Sequence, residues 1–380
     1  MKSALPGCVL SALFCGLTGC QPAVQGPALG LPPAAQTPAN LAAIDLGRKL
    51  FMDRRLSSNN TMSCAMCHIP EQGFTATELG TALGLEGRTM RRNTPSLLNV
   101  TYVGQLFHDG RASALETQAW APLLNAFEMG NKSPADVLEK IRKMPDYAGR
   151  FEAAFAGSGP TEHTVGVALA SYQRTLVSGN SRFDRWHYGG DSKALGKAEQ
   201  AGFAVFAGKG RCISCHAVGD KHALFSDDQF HNTGIGWARS QGMGAEPARK
   251  YSVQLAPGVF TEVQEHELRS VSEALQQDDG RFEVTHKDAE RWAYRTPGLR
   301  NVALTGPYMH DGSLATLEAV VDYYQHGGID NPGKDKLVQP LQLSAQDKKN
   351  LVAFLRSLNG DNVAVLARQA RAERIDHPAP

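Results

Sequence analysis

The sequence predicts a mainly helical fold built from two duplicated domains. Apolar residues recur at the spacing of amphipathic helices in many segments of the 380-residue chain, whereas strand signals are sparse. Each half contains one Cys-x-x-Cys-His segment, at residues 64–68 and 212–216. Each half then continues with a second matching segment, which begins at residue 92 in the first half and at residue 295 in the second. Because two different segments recur in the same order, we interpret the halves as an internal duplication.

The Cys-x-x-Cys-His segment is the attachment site of a c-type haem. Its two thiols add across the haem vinyl groups, and the histidine that follows offers its imidazole to the iron. Structural zinc would need further ligands at short spacing, and a redox dithiol would not need the histidine in both copies. The sequence therefore predicts two covalently bound c-type haems in two cytochrome c-type domains, attached and ligated by Cys64, Cys67 and His68 in the first half and by Cys212, Cys215 and His216 in the second.

The remaining three cysteines lie near the N-terminus. Cys8 and Cys15 fall in an apolar stretch that is too short to span a membrane and is typical of a secretory signal. Cys20 ends a Leu-Thr-Gly-Cys segment that looks like a bacterial lipobox, so we expect a lipoprotein signal peptide at residues 1–19 and a lipid on Cys20. The alternative is an ordinary cleaved signal in which Cys20 has no role. Since c-type haem is attached outside the cytoplasm, we expect a periplasmic protein held at the outer membrane by lipid alone.

Composition narrows the partners and the domain boundaries. With 39 basic and 38 acidic residues the formal net charge is +1, and no basic patch or tail is present, so nucleic acid is not an expected partner. Residues 20–41 are rich in Pro, Ala and Gln, which predicts a flexible tether. We expect an N-terminal haem domain at 42–189, a C-terminal haem domain at 190–360 and a tail at 361–380.

The second repeated segment is a loop followed by a helix. The first copy, at residues 92–100, starts Arg-Asn-Thr-Pro and leads to His-Asp-Gly at 108–110. The second copy, at residues 295–302, starts Arg-Thr-Pro and leads to His-Asp-Gly at 310–312. The proline and the histidine are 13 residues apart in both copies, and each copy runs on to a Leu-Glu pair, so the two loops are equivalent.

Taken over the whole mature chain, these segments resemble the bacterial dihaem cytochrome c peroxidase and MauG family. Besides both haem sites, the residues that carry the resemblance are Arg-Asn-Thr-Pro at 92–95, Phe-His-Asp-Gly-Arg at 107–111, Leu-Glu-Thr-Gln-Ala at 115–119, Arg-Thr-Pro-Gly-Leu-Arg-Asn-Val at 295–302 and Thr-Gly-Pro-Tyr at 305–308. The resemblance implies that the N-terminal haem reacts with hydrogen peroxide and that the C-terminal haem is six-coordinate and stores or relays an electron. It also implies a calcium ion between the domains, bound by backbone carbonyls of Thr305 and Pro307.

The first iron is expected to be open on its distal side. Many members of the family hold a removable histidine over the peroxide haem, in the loop shortly after the proximal histidine, but no histidine lies between His68 and His108 in this chain. The resemblance therefore implies that the distal side of the first iron is open without reductive activation, as in the MauG branch. His108 has two interpretations, as an ordinary loop side chain or as a residue that swings over an iron.

Glu116 occupies the position of the family's distal glutamate and is the expected catalytic acid–base. One carboxylate can take the proton from the iron-bound oxygen and return it to the leaving oxygen. The alternative is structural, because Ser113 and Glu116 have the spacing of a helix capping box. Where the family often has an assisting glutamine, this chain has Leu106 with Gln105 beside it, which implies either a drier pocket or a role for Gln105.

Tyr324 is the expected sixth ligand of the second iron. The resemblance places it where some members of the family use methionine and MauG-type members use tyrosine. A phenolate is a hard anionic donor and stabilises ferric and higher-valent iron more than a thioether does. The alternatives are that Tyr324 is a buried core residue next to Tyr323, or that Met309 or His310 is the ligand instead.

Three functions compete at this point. In the first, peroxide produces a high-valent dihaem state that oxidises a residue, by analogy a tryptophan, on a partner protein. In the second, the protein reduces hydrogen peroxide with electrons from a small redox protein, and in the third it is a non-enzymatic dihaem electron carrier. The expected Tyr324 ligand and the missing histidine favour the first. Residues 107–113, 231–236 and 280–285 are most similar to MbnH-type enzymes, which implies a copper-binding partner of the MbnP type.

The family also implies an aromatic bridge between the haems. Relatives often carry a tryptophan within or near the Asn-Thr-Pro loop, where this chain has Leu97 and Leu98. Trp120 and Trp292 are the remaining candidates, and neither follows from spacing.

Overall fold

The computed structural model describes residues 28–33, 40–243, 250–256, 259–264 and 277–372. The predicted signal peptide, Cys20 and most of the predicted tether lie outside these residues. The described chain is mainly helical, as the sequence predicted. Its α-helices are α1 Leu41–Met52, α2 Cys64–Cys67, α3 Leu115–Gln118, α4 Trp120–Leu124, α5 Pro134–Lys143, α6 Arg150–Ala154, α7 Glu162–Arg174, α8 Arg182–His187, α9 Lys197–Ala207, α10 Ile235–Ser240, α11 Phe282–Thr285, α12 Leu317–Gln325, α13 Ala345–Arg356 and α14 Val363–Arg371. None of the described helices has the length and apolar character that a membrane span needs.

Short 3-10 helices and two small antiparallel sheets complete the described fold. The 3-10 helices are Arg54–Leu56, Pro70–Gln72, Leu85–Gly87, Val100–Tyr102, Pro145–Tyr147, Cys212–Ser214, Asp288–Glu290 and Val302–Leu304. Strand β1 (Phe230–His231) pairs with β4 (Tyr294–Arg295), with His231 opposite Tyr294. Strand β2 (Lys250–Ala256) pairs with β3 (Val259–Gln264) as a hairpin. The second half carries extra sequence between its haem segment and its repeated loop, roughly residues 220–290, and the first sheet closes this extra sequence into one loop.

In the first half, α1 and α7 cross at a glycine. Gly47 lies so close to the backbone carbonyl of Ala168 that a Cβ at this position would collide with it. This close approach brings the apolar faces of the two helices into one core, in which Leu50 and Leu169 are almost fully buried.

The second half repeats this crossing with α9 and α13. Gly202 lies against the backbone carbonyl of Asn350, and a Cβ there would also collide with it. Aromatic side chains fill the adjacent core, where the ring centroids of Phe206 and Phe354 are 5.1 Å apart. Equivalent pairs of helices therefore cross in the same way in the two halves, which agrees with two duplicated domains.

The core of the second half begins before the predicted boundary at residue 190. Helix α8 places the fully buried ring of Phe183 at the centre of this core, with its centroid 5.3 Å from that of Phe225 and 5.6 Å from that of Phe354. The glycine-rich stretch after α8 is thus a turn inside the second domain. Its turn residues are visible in the sequence, but the distant partners of Phe183 are not.

Part of the predicted tether packs against the second half. The backbone carbonyl of Gly30 accepts hydrogen bonds from the Arg300 side chain and from the backbone N–H of Ala223, and the side chain of Leu31 is 6% exposed. Because Gly30 lies against Asp184 and Arg300 with φ of +81°, a side chain does not fit at this position. Residues 28–33 are therefore a fixed part of the described fold.

Part of the predicted tail packs against the first half. Its residues 363–371 form α14, and Ala370 is buried in the first-half core. Arg371 reinforces the contact, since its Nε lies 2.9 Å from Oε1 of Glu71. The apolar stripe of α14 finds its partner surface nearly 300 residues earlier in the chain, and for this reason composition predicted only a tail.

We predict that Gly202→Ala destabilises the second half by about 1–3 kcal/mol, because the new methyl group forces apart two closely packed helices. Denaturant unfolding of the haem-loaded protein measures the change. Gly196→Ala, at the start of the same helix, is the matched control, since its Cβ would meet Glu199 only at an ordinary 3.5 Å. Equal stability of the two variants would show that α9 and α13 do not depend on this close approach.

Candidate haem sites

The first site is built at the C-terminal end of α2. Cys64 and Cys67 lie on this one-turn helix, and His68 caps it with its backbone N–H 2.9 Å from the carbonyl of Cys64. Nδ1 of the His68 ring lies 3.1 Å from the carbonyl oxygen of Phe74, so Nδ1 is the protonated nitrogen and Nε2 keeps the lone pair that binds iron. Burial lowers the pKa of His68 to about 4, which keeps the imidazole in the neutral, ligating form.

The second site repeats this geometry. Cys212 begins a 3-10 turn, and the backbone N–H of His216 lies 2.9 Å from the carbonyl of Cys212. Nδ1 of His216 lies 2.8 Å from the carbonyl oxygen of Phe225, the counterpart of Phe74, and burial lowers the pKa of this histidine. Both phenylalanines have a φ of 57°, which turns their carbonyls toward the imidazoles. The two proximal histidines are thus oriented by the same device.

A cavity of about 390 Å³ opens at the second site. The predicted attachment residues line this cavity. Apolar side chains line it as well, among them Leu224, Leu299, Val320, Val321, Leu341 and Leu351. Burial raises the pKa of the Cys212 thiol to about 12, so this thiol is uncharged in the apolar wall. An apolar cavity with two thiols and a neutral imidazole at one end fits a covalently attached haem. The attachment and ligand assignments nevertheless stay predictions.

Tyr324 faces this cavity from α12. Its neighbour Tyr323 donates its hydroxyl to the carbonyl of Thr233, so that phenol is satisfied by the protein. Within the described residues the hydroxyl of Tyr324 has no hydrogen-bond partner, and the side chain lines the cavity. Burial, with smaller contributions from Tyr323 and the two cysteines, raises the pKa of Tyr324 well above its usual value. A ferric ion would supply the positive charge that a phenolate needs in such surroundings.

The two rival ligands, Met309 and His310, also line the cavity. Met309 lies in a turn with φ of 74°. The ring of His310 is stacked on Tyr294, with 3.6 Å between centroids and an angle of 10° between the planes. The structure therefore brings all three candidate ligands to one site, and Tyr324 stays the predicted one.

The His108 ring, which could have swung over an iron, is hydrogen-bonded to backbone at the second cavity. It lies at the wall of the second cavity, and its Nε2 is 2.9 Å from the carbonyl oxygen of Asn93. Burial lowers the pKa of His108 to about 3, and the hydrogen bond to the Asn93 carbonyl only partly offsets this. The loop interpretation of His108 thus matches its position.

Glu116 begins α3 and forms an ion pair with Arg174 of α7. The two charged atoms are 2.7 Å apart, and the Glu116 side chain is 31% exposed. The capping box does not form, because the N-cap of α3 is Ala114 and no side chain caps the helix. Its counterpart in the repeat, Glu318, pairs in the same way with Arg356 of α13 at 2.9 Å. The ion pair is therefore inherited by both halves, and the catalytic role of Glu116 stays a prediction.

Leu106 and Gln105 occupy different surroundings. Leu106 is 4% exposed and belongs to a small apolar cluster with Leu115 and Ala170. Gln105 is half-buried, with its side-chain oxygen close to Gly110. Leu106 thus supports the loop around Glu116 by packing alone.

The residues expected to bind calcium line the second cavity, and the two candidate bridge tryptophans do not. Thr305 and Pro307 both line the cavity, and the Thr305 side chain lies against Gly73 of the first half, at the domain interface. Trp120 donates its indole N–H to the carbonyl of Glu162 at 3.0 Å, within the first half. Trp292 has a buried indole nitrogen without a partner among the described residues. Neither tryptophan is among the described residues that line the second cavity.

A histidine between two carboxylates lies beside Cys215, and the sequence did not predict its surroundings. Nδ1 of His231 is 2.6 Å from Asp335 and its Nε2 is 2.9 Å from Asp227. The Cys215 thiol, and then the carboxylates of Asp335 and Asp227, raise the pKa of His231 to about 10. The atoms of Cys215, Asp227 and His231 lie within 4.8 Å of one another, but haem attachment would convert this sulfur to a thioether. The residue pattern from His231 onward was visible, whereas Asp335 is 104 residues away.

The two haem sites are joined by a reciprocal exchange of hydrogen bonds. The backbone N–H of Asn93 donates to the carbonyl of His310 at 2.7 Å, and the backbone N–H of Arg295 donates to the carbonyl of His108 at 2.8 Å. Each repeated loop therefore bonds to the His-Asp-Gly turn of the other half. The sequence showed both loops but not that they exchange partners.

Similarity to known proteins agrees with this geometry. A sequence model of the di-haem cytochrome c peroxidase family matches residues 41–193. The methylamine utilization protein MauG of Methylorubrum extorquens is 35% identical over 340 residues, which cover 89% of this chain and 84% of that protein. The chain belongs to the di-haem cytochrome c peroxidase and MauG family. It is a haem-dependent oxidoreductase.

Two further relatives represent the two branches. A cytochrome c peroxidase of Denitromonas iodatirespirans is 34% identical over 341 residues, covering 88% of this chain and 86% of the relative. The crystal structure of a MauG-like protein associated with microbial copper homeostasis superimposes with a TM-score of 0.68 at 30% identity, covering 92% of this chain and 97% of that one. The family and the two-haem fold are thus established, while the branch is a separate question.

We predict that Tyr324→Phe changes the ferric absorption and EPR spectra of one haem only, because the variant keeps the ring and loses the donor oxygen. Tyr323→Phe is the matched control. It removes the hydrogen bond to Thr233, costs about 1 kcal/mol of stability and leaves both haem spectra unaltered. Unchanged spectra in Tyr324→Phe would exclude this tyrosine as a ligand.

Proposed function

We propose that this enzyme uses hydrogen peroxide to oxidise a residue on an exported partner protein. The observation that carries the proposal is a difference between equivalent positions of the repeat. Seven residues after the repeated leucine, the second half has Tyr324 and the first half has Pro122. Tyrosine offers an oxygen to an iron, whereas proline has no donor atom in its side chain. This difference supports one closed and one open iron site.

Two features of the first site support its assignment as the peroxide site. His68 holds Nε2 free for iron, and His108 has its own nitrogen bonded to Asn93. A haem bound at His68 supplies the iron at which peroxide is reduced. Glu116 is the residue we assign to proton transfer, and Arg174 fixes the direction of its carboxylate. Arg174 thus limits the positions that the carboxylate can take.

The second site fits an electron store better than a substrate site. If Tyr324 and His216 occupy both axial positions, no substrate reaches that iron, and its ligands change little when an electron is gained or lost. Reduction of one peroxide molecule to two water molecules takes two electrons and two protons. We assign both electrons to the partner residue, which then needs to dock at the surface and not to enter a pocket. A non-enzymatic electron carrier would not use an open first site.

The copper branch is the one we favour for the partner. The structural relative is described as associated with microbial copper homeostasis, and residues 107–113, 231–236 and 280–285 are similar to MbnH-type enzymes. We therefore propose a tryptophan of an MbnP-like copper-binding protein as the target. The same proposal includes a periplasmic location, a lipid anchor on Cys20 and a calcium ion bound at Thr305 and Pro307.

Peroxide detoxification is the second candidate function. Cytochrome c peroxidases are 34% identical to this chain, nearly as similar as the MauG relative at 35%. In this case the electrons come from a small redox protein and no partner residue is modified.

We predict that Glu116→Gln slows the reaction with peroxide by about 100- to 10,000-fold, the usual contribution of a general acid–base. Stopped-flow absorption of the haem-loaded protein measures the rate. Glu318→Gln is the control, because it breaks the equivalent ion pair with Arg356 in the other half and should leave the rate unchanged. Equal rates in both variants would leave Glu116 with only its ion-pair role.

We predict that peroxide and the loaded enzyme together oxidise a tryptophan of a copper-binding protein encoded beside this one. Mass spectrometry of the partner after incubation identifies the residue, and omission of either peroxide or enzyme is the control. An unmodified partner, combined with rapid peroxide-dependent oxidation of a reduced small cytochrome, would instead establish the detoxifying peroxidase.

A further inference from the structure

The two His-Asp-Gly turns are equivalent in the repeat, but their histidines differ in one atom. Nε2 of His108 is bonded to the carbonyl oxygen of Asn93 at 2.9 Å. Nε2 of His310 is buried and has no hydrogen-bond partner among the described residues, and His310 as a whole is only 8% exposed. Because His310 lines the second cavity, a group bound in that cavity can complete its hydrogen bonding.

Two contacts hold the His310 ring in one position. The ring is stacked on Tyr294 with 3.6 Å between centroids, and the Tyr294 hydroxyl donates to the carbonyl of Asp278 at 3.2 Å. The His310 backbone is fixed as well, since its carbonyl accepts from the N–H of Asn93. A ring clamped in this way does not swing to follow a ligand. Its Nε2 therefore marks one fixed point at the cavity wall.

The chemistry of haem leaves few partners for such a nitrogen. The four ring nitrogens bind iron, and the edge of the macrocycle is apolar except for two carboxylate side chains. A neutral imidazole carries a single N–H, on one of its two ring nitrogens. An Nε2 that carries this proton donates to a carboxylate, whereas an Nε2 with a lone pair would bind the iron.

The surroundings of His310 fit the carboxylate edge of a haem. The cysteines would hold the vinyl edge of a c-type haem, and its two carboxylates lie at another edge. Arg92 lies over the Tyr294 ring that stacks on His310, with 5.6 Å between its Cζ and the ring centroid. Arg239 pairs with Asp311, the residue after His310, at 3.0 Å. Two arginine side chains are therefore close to His310.

We propose that His310 donates a hydrogen bond from Nε2 to a carboxylate of the haem in the second cavity, with Tyr294 as the clamp that aims it. The proposal rests on the haem assignment within the proposed function, but on neither the partner protein nor the Tyr324 ligand. His310 is a positioning residue in this assignment. A donor to the carboxylate withdraws negative charge from the ferric haem, so its loss should favour the oxidised state of this haem alone.

The test compares His310→Leu with His108→Leu in the haem-loaded protein. We expect His310→Leu to raise the ratio of oxidised to reduced second haem several-fold at a fixed potential in a redox titration, with an unchanged low-spin EPR signal. His310→Gln, which keeps an N–H donor, should restore part of the shift. His108→Leu should leave this ratio within twofold of the unmodified protein, because the Nε2 of His108 is already bonded to Asn93.

Three results would overturn or redirect the proposal. An unaltered ratio in His310→Leu would show that Nε2 does not touch the haem. Conversion of the second haem to a high-spin form in His310→Leu, but not in Tyr324→Phe, would make His310 the iron ligand. A purified protein with one haem per chain would instead refute the haem assignment of the proposed function. If His310→Leu does not fold, His310→Asn withdraws the donor by shortening the side chain and is judged by the same ratio.

Discussion

The exchange of backbone hydrogen bonds between the two repeated loops sets the relation between the haem sites. Asn93 donates to the His310 carbonyl and Arg295 donates to the His108 carbonyl, at 2.7 and 2.8 Å. The backbone carbonyls of Pro95 and Pro297, in the same two loops, act to raise the pKa values of His68 and His216 and so partly offset the effect of burial. Each loop therefore influences the proximal imidazole of its own half and is bonded to the His-Asp-Gly turn of the other half. Because such bonds are strong in a buried interface, the two sites are held at one fixed separation.

Ion pairs around Arg92 reinforce this exchange. Arg92 lies 2.5 Å from Asp109 of its own half and 2.7 Å from Asp278, which belongs to the extra sequence of the second half. These charges are nearly buried, and a buried pair is costly to break once formed. Although burial opposes both charges, Asp278 and then Asp109 raise the pKa of Arg92, and Arg92 and Arg111 lower the pKa of Asp109. The extra sequence thus supplies the acid that pairs with Arg92, and Tyr294, which clamps His310, follows shortly after it.

The sequence predicted the features that are local in the chain and missed those that join distant residues. Both Cys-x-x-Cys-His segments, the helical content and the duplication follow from short motifs and their spacing. The docking of residues 28–33 and of α14 was missed because their partner surfaces lie far away in the sequence. The pairing of His231 with Asp335 was missed for the same reason, since the two are 104 residues apart, whereas Asp227 is only four residues from His231 and distance does not explain its omission. The predicted ligand roles follow from family resemblance, and spacing alone would have left Tyr324 as a core residue.

Duplication explains why the two sites share a frame, and substitution within that frame explains how they differ. The helix crossings at Gly47 and Gly202 and the glutamate–arginine pairs are the same in both halves, so they belong to the shared frame. Two differences between equivalent side chains bear on the haem sites. Pro122 replaces Tyr324, and a bonded His108 replaces an unbonded His310. One fold can therefore hold a reactive iron and a protected one, because the backbone supplies the proximal geometry twice and the distal side chains are free to diverge.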